Sequence, residues 1–323
     1  MGPPRVSTIE THFAWVFLAG SLAYKLKKPA RQAGMDYRSL AARERGCRQE
    51  LALNRRLAPG VYLSVLPLTV QRGQLRLGGQ GTVVDWLVKM RRLPATGMLE
   101  SRMRRARIAG ETLEPLAALL AGFYRRASRA PLDPRRYVAR IRGQILANRR
   151  ALRRLGRQID QDLVTRVTDA QREFLRLAGN LIGARGTRVV DGHGDLRGEH
   201  VCLFPLAVID CLEFDRRLRL LDPHEDLALL ALEIERKRRP DLARHLLDRV
   251  GALSGDPPSQ ELTHLYMSHR ATTRAKLSAW HVGDPQFPAV APWLARTVSY
   301  LRSAERHAAH ALEFSSSCRG EPL

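Results

Sequence analysis

The sequence of 323 residues predicts an α+β fold with two lobes, a small β-rich lobe at 1–93 and a larger, mainly helical lobe at 94–323. Short segments with the character of strands dominate as far as Leu93. Long segments with the helical period follow Pro94, and a strand-rich island at 187–217 interrupts them. With 44% hydrophobic residues, a chain of this length can bury a substantial core.

The small lobe is predicted to contain strands, then one helix, then strands again. Gly20 lies at the turn between the first two strands, and the breaker residues Ala58-Pro59-Gly60 follow the helix. In chain order the predicted elements are the strands Phe13–Leu18 and Leu22–Leu26, the helix Tyr37–Leu57, and the strands Tyr62–Leu68, Gln74–Leu77 and Thr82–Met90.

The large lobe is predicted to consist of helices on both sides of the island, because apolar residues recur at the helical spacing there. Before the island the predicted helices are Leu113–Arg126, Arg136–Leu155 and Asp160–Leu181, and after it they are Glu225–Arg238, Asp241–Val250, Gln260–Ala279 and Trp293–Ala311.

The formal net charge is +22, from 54 basic and 32 acidic residues. Most of the basic residues are arginines, and an excess of arginine can be a feature of a whole proteome. The net charge alone is therefore weak evidence for a polyanion partner, and a nucleic-acid partner is not favoured. Only six of the basic residues are lysines, and three of them, Lys25, Lys27 and Lys28, lie almost side by side. This local cluster indicates a site of its own.

The cysteines and the N-terminal segment indicate the compartment. The four cysteines include no C-x-x-C pair, which favours a reducing environment. Residues 1–8 lack the pattern of a signal peptide, and the apolar stretches fall far below the roughly 18 residues that span a bilayer. We expect a cytoplasmic protein with no membrane partner, and the oligomeric state is left open.

Two apolar runs in the island each deliver a carboxylate to a loop, Asp195 after the first and Asp210 after the second. A carboxylate at the end of a buried strand needs a cation or a hydrogen-bond donor. Paired carboxylates could serve glycoside hydrolysis, and His193 with His200 could bind zinc, but neither chemistry explains the lysine cluster. Phosphoryl transfer explains Asp195, Asp210 and the lysine cluster together. This reaction needs a base, a carboxylate that binds a metal ion and a lysine that binds the phosphates.

These residues resemble the aminoglycoside phosphotransferase-like branch of the protein-kinase-like superfamily. In that branch the catalytic loop reads H-G-D-x-x-x-x-N, and a metal-binding Asp follows at the spacing found here between Asp195 and Asp210. The sequence is similar to a bacterial subgroup described as aminoglycoside phosphotransferase family enzymes, some members of which are fused to a P-loop ATPase domain. The matching segments are Thr11-His12, Trp15-Val16-Phe17-Leu18, Tyr24-Lys25-Leu26-Lys27-Lys28-Pro29, Leu53-Asn54-Arg55-Arg56-Leu57-Ala58-Pro59, His193-Gly194-Asp195 and Asp210-Cys211-Leu212-Glu213-Phe214.

The resemblance implies a bilobal protein-kinase-like fold and assigns roles to the island. Asp195 would be the catalytic base that takes the proton of the acceptor hydroxyl, with His193 and Arg197 in the same catalytic set. Asp210 would bind the Mg²⁺ that bridges the nucleotide phosphates.

The resemblance also assigns the nucleotide-binding residues of the small lobe. Lys25 would contact the phosphates, and Lys27, on the same strand face, is the alternative. Glu50 in the predicted helix would pair with that lysine, with Glu44 as its rival. The remaining predicted nucleotide-binding residues are Thr11, His12 and Met90.

The sequence departs from the family pattern in two places. His200 stands where the motif has Asn, although magnesium prefers oxygen ligands to imidazole. His200 and Glu213 are therefore predicted beside Asp210 as metal ligands, and Glu199 is a further substitute. The loop at 10–12 has no glycine pattern, so hydroxyl and backbone donors would have to bind phosphate there.

The sequence thus predicts an ATP- or GTP-dependent phosphotransferase that acts on a hydroxyl of a small molecule. Aminoglycosides are polycations, so a chain this basic favours a neutral or anionic acceptor. The alternative is a catalytically degenerate kinase-like protein that binds nucleotide or acts as an RNA-associated scaffold. His200 and the glycine-poor loop favour that alternative, whereas the intact Lys25, Asp195 and Asp210 oppose it.

Overall fold

The computed structural model describes residues 6–32, 34–105, 108–257, 259–284 and 288–317. The chain forms two compact units, one made of Met1–Leu119 with His193–Arg219 and the other of Leu120–Gly192 with Leu220–Leu323. Each unit is defined by the contacts among its own residues. The boundary between the two predicted lobes, at 93/94, stays a prediction. None of the helices in the described ranges combines the length and the apolar character that crossing a bilayer requires.

The α+β class predicted from the sequence is confirmed. The strands are β1 (Val6–Glu10), β2 (Ala14–Ala19), β3 (Leu22–Lys27), β4 (Arg31–Gln32), β5 (Met35–Asp36), β6 (Tyr62–Gln71), β7 (Gln74–Leu77), β8 (Thr82–Arg91), β9 (Val190–Asp191), β10 (Val201–Leu203), β11 (Leu206–Val208) and β12 (Leu220–Leu221). The α-helices are α1 (Leu40–Asn54), α2 (Leu99–Arg105), α3 (Glu114–Arg126), α4 (Pro134–Arg153), α5 (Gln161–Leu177), α6 (Gly179–Ala184), α7 (Pro223–Arg236), α8 (Pro240–Ser254), α9 (Gln260–Ala279) and α10 (Val290–Ser317).

The first unit is built on a six-stranded antiparallel sheet with the order β1-β2-β3-β8-β6-β7. Five of these strands were predicted. β1 was not, because it is an exposed edge strand with no buried face to mark it in the sequence. The register pairs Ala23 of β3 with Met90 of β8, and Met90 in turn with Tyr62 of β6. These three side chains lie in the buried apolar cluster of the unit.

Helix α1 packs on this sheet and carries polar groups into it. The hydroxyl of Ser39 caps the helix by accepting from the amide of Ala42 at 3.2 Å, so the helix begins later than the predicted Tyr37. Cys47 joins the apolar cluster of the sheet. Glu50 and Asn54, one turn apart, are also buried, which places a carboxylate and an amide inside the first unit.

The second unit contains helices α4 to α10 and the short pair of strands β9 and β12. The single helix predicted at Asp160–Leu181 is wrong in one respect, because the structure has two helices, α5 and α6, there. The backbone leaves the helical conformation at Ala178, with φ −118° and ψ 28°, and Gly179 follows. Glycine has a low helix propensity, which accounts for the break.

A buried charge network organises the second unit around Asp222. The Asp222 side chain has no exposed surface and caps α7 by accepting from the amide of His224. Arg185 donates two hydrogen bonds to its carboxylate, at 2.6 and 2.7 Å, and two more to Asp256, both at 2.8 Å. The hydroxyl of Tyr266 also donates to Asp222, at 2.9 Å. No motif or spacing in the sequence predicts this network.

Replacing Arg185 by methionine will strongly destabilise the protein, because it leaves the buried carboxylate of Asp222 without its guanidinium partner. We expect a loss of about 3–5 kcal/mol in the free energy of unfolding, measured by urea denaturation. The matched control is Arg172→Met, which removes an exposed ion pair with Asp169 and should cost no more than about 1 kcal/mol. Equal losses in the two variants would contradict this assignment.

Candidate active site

Strand β3 presents Lys25 and Lys27 on the same face, since side chains alternate along a strand. The ammonium nitrogen of Lys25 lies 2.7 Å from Asp210 Oδ1 and 2.9 Å from Glu50 Oε1. That of Lys27 lies 2.6 Å from Glu50 Oε2 and 2.5 Å from Glu213 Oε1. Glu50 therefore bridges the two lysines, and the order of charges is Asp210, Lys25, Glu50, Lys27, Glu213.

The geometry separates the candidates that the sequence left open. Lys25 is the lysine in contact with Asp210, whereas Lys27 is 1% exposed and lies deeper. Glu50 contacts both lysines, whereas the rival Glu44 pairs with Arg48 one turn along α1 on the helix surface. Glu50 is thus the acid that α1 brings to the lysines.

Tyr37 adds a further contact to this network, whereas Lys28 does not. The hydroxyl of Tyr37 donates to Glu213 at 2.9 Å, and its ring lies 5.0 Å from the ammonium of Lys27. Lys28 points elsewhere, toward Glu10 and the ring of Trp15. Glu213, predicted as a metal ligand, therefore has the contacts of a carboxylate that stabilises a buried lysine, and metal binding by Glu213 stays a prediction.

The pKa values of the network favour ionised groups. Burial alone lowers the pKa of Lys25, but attraction to Asp210 and Glu50 outweighs it and holds that pKa well above its usual range. Desolvation raises the pKa of Asp210, and attraction to Lys25 more than reverses this, so the carboxyl titrates well below its usual range. Lys25 and Asp210 are therefore charged at neutral pH.

The segment His193-Gly194-Asp195 is held by backbone contacts. His193 Nε2 lies 3.0 Å from the carbonyl oxygen of Ile209, and the carbonyl of His193 accepts from the amide of Leu212. Gly194 has φ +89°, and a Cβ there would lie 3.0 Å from the carbonyl oxygen of Leu218, so any other residue would be strained at this position. Burial lowers the pKa of His193 to about 3, which leaves the ring neutral. The ring has no exposed surface, so its contacts are those of a positioning residue.

The predicted base Asp195 and the predicted metal ligand His200 both contact Arg197. Its Nε donates to Asp195 Oδ2 at 2.9 Å, its Nη2 lies 3.0 Å from His200 Nε2, and a third contact reaches Glu199. His200 Nδ1 lies 2.8 Å from the carbonyl oxygen of Asp195, and His200 Nε2 lies 3.5 Å from Asp210 Oδ2. Asp195, His200 and Asp210 thus form one continuous group, with a guanidinium at its edge.

Asp210 itself has an unusual backbone conformation, with φ +63°. A residue other than glycine in this region is strained, and the conformation persists only where its neighbours hold it in place. The backbone N–H of Asp210 donates to the hydroxyl of Tyr62 at 3.2 Å, and the next amide, that of Cys211, donates to Asn54 Oδ1 at 2.9 Å. Tyr62 and Asn54 were missed as site residues. Asn54 lies in a segment that matches the family, which is the only signal that could have identified it.

The three remaining predicted nucleotide-binding residues lie in the sheet and its first turn. The hydroxyl of Thr11 donates to the carbonyl of Ala14 and accepts from its amide, so it closes the turn between β1 and β2. The ring of His12 packs edge-on against Phe13 at 4.4 Å. Met90, on β8, is buried in the apolar cluster opposite Ala23. Nucleotide binding by Thr11, His12 and Met90 stays a prediction.

No family model matches the chain. "Uncharacterized protein Rv2004c" of Mycobacterium tuberculosis is 32% identical over 316 residues, which cover 95% of this chain and 61% of the relative. "Uncharacterized protein Mb2027c" of Mycobacterium bovis matches with the same identity and coverage. The chain therefore spans 61% of the length of these curated relatives.

Two solved structures share the fold of this chain. A GDP complex of an aminoglycoside 2'-phosphotransferase has a TM-score of 0.53 and 15% identity, covering 95% of this chain and 93% of that one. Choline kinase from Cryptosporidium parvum has a TM-score of 0.51 and 12% identity, covering 94% and 89%. This chain has the protein-kinase-like fold. The resemblance in the sequence is confirmed for the fold, and the fusion to a P-loop ATPase stays a prediction.

Within the kinase-like fold, the three clustered lysines should differ sharply in their effect on stability. Lys27→Met leaves the buried carboxylates of Glu50 and Glu213 without the cation that they share, so we expect a loss of about 3 kcal/mol or more. Lys28→Met removes a pair whose partner Glu10 is 63% exposed, so it should cost less than about 1 kcal/mol. Urea denaturation measures both, and the reverse order would contradict the network.

Proposed function

We propose that this chain transfers the γ-phosphoryl group of ATP or GTP to a hydroxyl of a small molecule. The observation that carries this proposal is that Lys25, which is distant along the chain from Asp195 and Asp210, belongs with them to one group of contacting side chains. Phosphoryl transfer requires a cation for the phosphates, a metal-binding carboxylate and a base in that arrangement. The kinase-like fold supports the same reaction class.

In this proposal Lys25 binds the phosphates of the nucleotide, and Glu50 keeps its ammonium in position. The base of the nucleotide would lie on the apolar cluster that contains Ala23 and Met90, with Val16 and Ile209 beside them. These side chains are uncharged and suit the face of a purine. The GDP in the related aminoglycoside phosphotransferase structure supports a nucleotide as the phosphate donor.

The carboxylate of Asp210 and the imidazole of His200 have the donor atoms to hold a divalent metal ion. Asp210 Oδ2 and His200 Nε2 lie 3.5 Å apart. A modest movement of either side chain would bring the two atoms to the spacing of neighbouring ligands on one ion. When bound, the metal neutralises negative charge on the phosphates. The strained backbone of Asp210, held by Tyr62, presets the direction in which its carboxylate points.

Asp195 acts as the base in the proposed reaction. The acceptor oxygen forms a bond to the γ-phosphorus while the bond from that phosphorus to the β–γ bridging oxygen breaks, and the hydroxyl proton passes to the Asp195 carboxylate. The guanidinium of Arg197 donates to Oδ2 at 2.9 Å and so orients the carboxylate. The β-phosphate leaves with the bonding electrons, and the positive charge of Lys25 stabilises it.

The charge of the chain favours a neutral or anionic acceptor. The net charge is +22, and helix α4 of the second unit carries many arginines and no acidic residue. A polycationic aminoglycoside would be repelled by such a surface. Phosphorylation of a kanamycin-type acceptor by the purified protein would overturn this part of the proposal.

Two carboxylate variants test the roles of Asp195 and Asp210. Asp195→Asn should keep metal-dependent nucleotide binding but lower the rate of transfer by about 10²–10⁴-fold, since the base is lost. Asp210→Asn should weaken metal-dependent nucleotide binding itself. The measurements are the thermal shift with ATP and divalent metal, and phosphate transfer from labelled ATP to a metabolite mixture.

The wild type and an exposed control decide the outcome. Asp169→Asn, in an exposed cluster on α5, should change neither measurement. If the wild type shows no thermal shift at millimolar ATP with any divalent metal, the proposed transferase fails and a nucleotide-independent scaffold takes its place. A normal transfer rate in Asp195→Asn would remove Asp195 as the base.

A further inference from the structure

We infer that this site selects manganese(II) over magnesium, because His200 offers an imidazole nitrogen beside the carboxylate of Asp210. The inference rests on the proposed function, since it concerns the metal that accompanies the nucleotide. It deepens that proposal by assigning a ligand set of mixed nitrogen and oxygen atoms. The resemblance implies an amide oxygen at the position of His200.

The hydrogen bonds of His200 determine which of its two ring nitrogens donates a proton and which has a lone pair available for a metal ion. Nδ1 lies 2.8 Å from the carbonyl oxygen of Asp195, which can only accept, so Nδ1 must donate. Nε2 lies 3.0 Å from Nη2 of Arg197, which can only donate, so Nε2 must accept. Nε2 therefore bears the lone pair, and it is the nitrogen that lies 3.5 Å from Asp210 Oδ2.

The geometry of this pair suits neighbouring positions around one ion. Two adjacent ligand atoms of an octahedral site with bonds of about 2.1 Å lie about 3 Å apart, so a closure of about 0.5 Å brings Nε2 and Oδ2 to a common metal. The side chain of His200 is 6% exposed, and its Nδ1 contact to Asp195 holds the ring in place. Such a bond from the second ring nitrogen is typical of histidines that bind metals.

The donor atoms decide between the two ions. Magnesium is a hard cation that takes oxygen ligands, so an imidazole in place of an oxygen disfavours it. Manganese shares the preference of magnesium for carboxylate and phosphate oxygens. As a first-row transition ion it also binds a mixed set of nitrogen and oxygen ligands, whereas magnesium keeps to oxygen. Zinc would also take the nitrogen, but it prefers four ligands rather than an octahedron completed by phosphate oxygens.

Arg197 is the group that a bound ion must compete with, because its guanidinium donates to the same nitrogen. Arg197 keeps two other anionic partners, Asp195 and Glu199, when that one hydrogen bond is lost. The metal can therefore replace the Arg197 contact at Nε2 without leaving the guanidinium unpaired. His200→Asn, which restores the residue implied by the resemblance, is the variant that isolates the nitrogen ligand.

The test is electron spin-echo envelope modulation of manganese(II) bound with ADP to the full chain, in protein made with ¹⁵N-labelled histidine. The wild type should show coupling of manganese to ¹⁵N, and His200→Asn should lose it. Label in the histidines alone separates the protein nitrogen from the nitrogens of the nucleotide. His310→Asn, an exposed histidine on α10, is the matched control and should keep the coupling.

Calorimetry with ADP measures the preference itself. Free nucleotides also distinguish the two ions, so the measured quantity is the ratio of magnesium to manganese dissociation constants in each variant. That ratio should fall at least tenfold in His200→Asn relative to the wild type. Absence of ¹⁵N coupling in the wild type, an unchanged ratio, or a greater preference for zinc would overturn the inference. Failure of ADP to bind with any metal would instead overturn the proposed function.

Discussion

The carboxylate of Glu50 has no exposed surface, yet it contacts the ammonium groups of both Lys25 and Lys27. A buried carboxylate requires cations around it, and two lysines on one strand face repel each other unless an anion lies between them. Each group therefore needs the others. Glu213 completes the pairing of Lys27 on one side, and Asp210 contacts Lys25 on the other. The direction of Lys25, on which the proposed reaction depends, follows from this alternation of charge.

The last turn of α1 links this network to the loop that follows β11. Asn54 Nδ2 donates to the carbonyl of Glu50 at 2.9 Å, and its Oδ1 accepts from the amide of Cys211. One helix turn thus connects the acid between the lysines with the backbone next to Asp210. Tyr62 adds a second support at the amide of Asp210 itself. These two contacts account for the persistence of a left-handed backbone at a residue with a side chain.

Local signals in the sequence predicted most of the fold, since strand alternation, helical spacing and breaker residues act within a few positions. They failed where the local signal is weak, as at the exposed β1 and at the break after Ala178. Motif spacing brought out Asp195 and Asp210. The resemblance favoured Glu50, but motif spacing alone could not exclude Glu44, because both lie on one helix and only the packing of α1 on the sheet decides which faces the lysines. Asn54 was missed for a related reason, because its partner is the backbone of a residue 157 positions away.

A histidine at position 200, where the resemblance implies Asn, preserves more of the site than the two residue types suggest. An asparagine amide offers one donor group and one acceptor oxygen, and the imidazole of His200 offers the same pair through Nδ1 and Nε2. The donor is used on the carbonyl of Asp195, in the loop that carries the proposed base, and an asparagine amide has a donor of the same kind. The acceptor still faces Asp210 and Arg197. What differs is the acceptor atom, a nitrogen instead of an oxygen, and the hardness of that atom determines which cation binds best. With magnesium as the ion, His200 would count against activity. With manganese as the ion, His200 is consistent with an intact site.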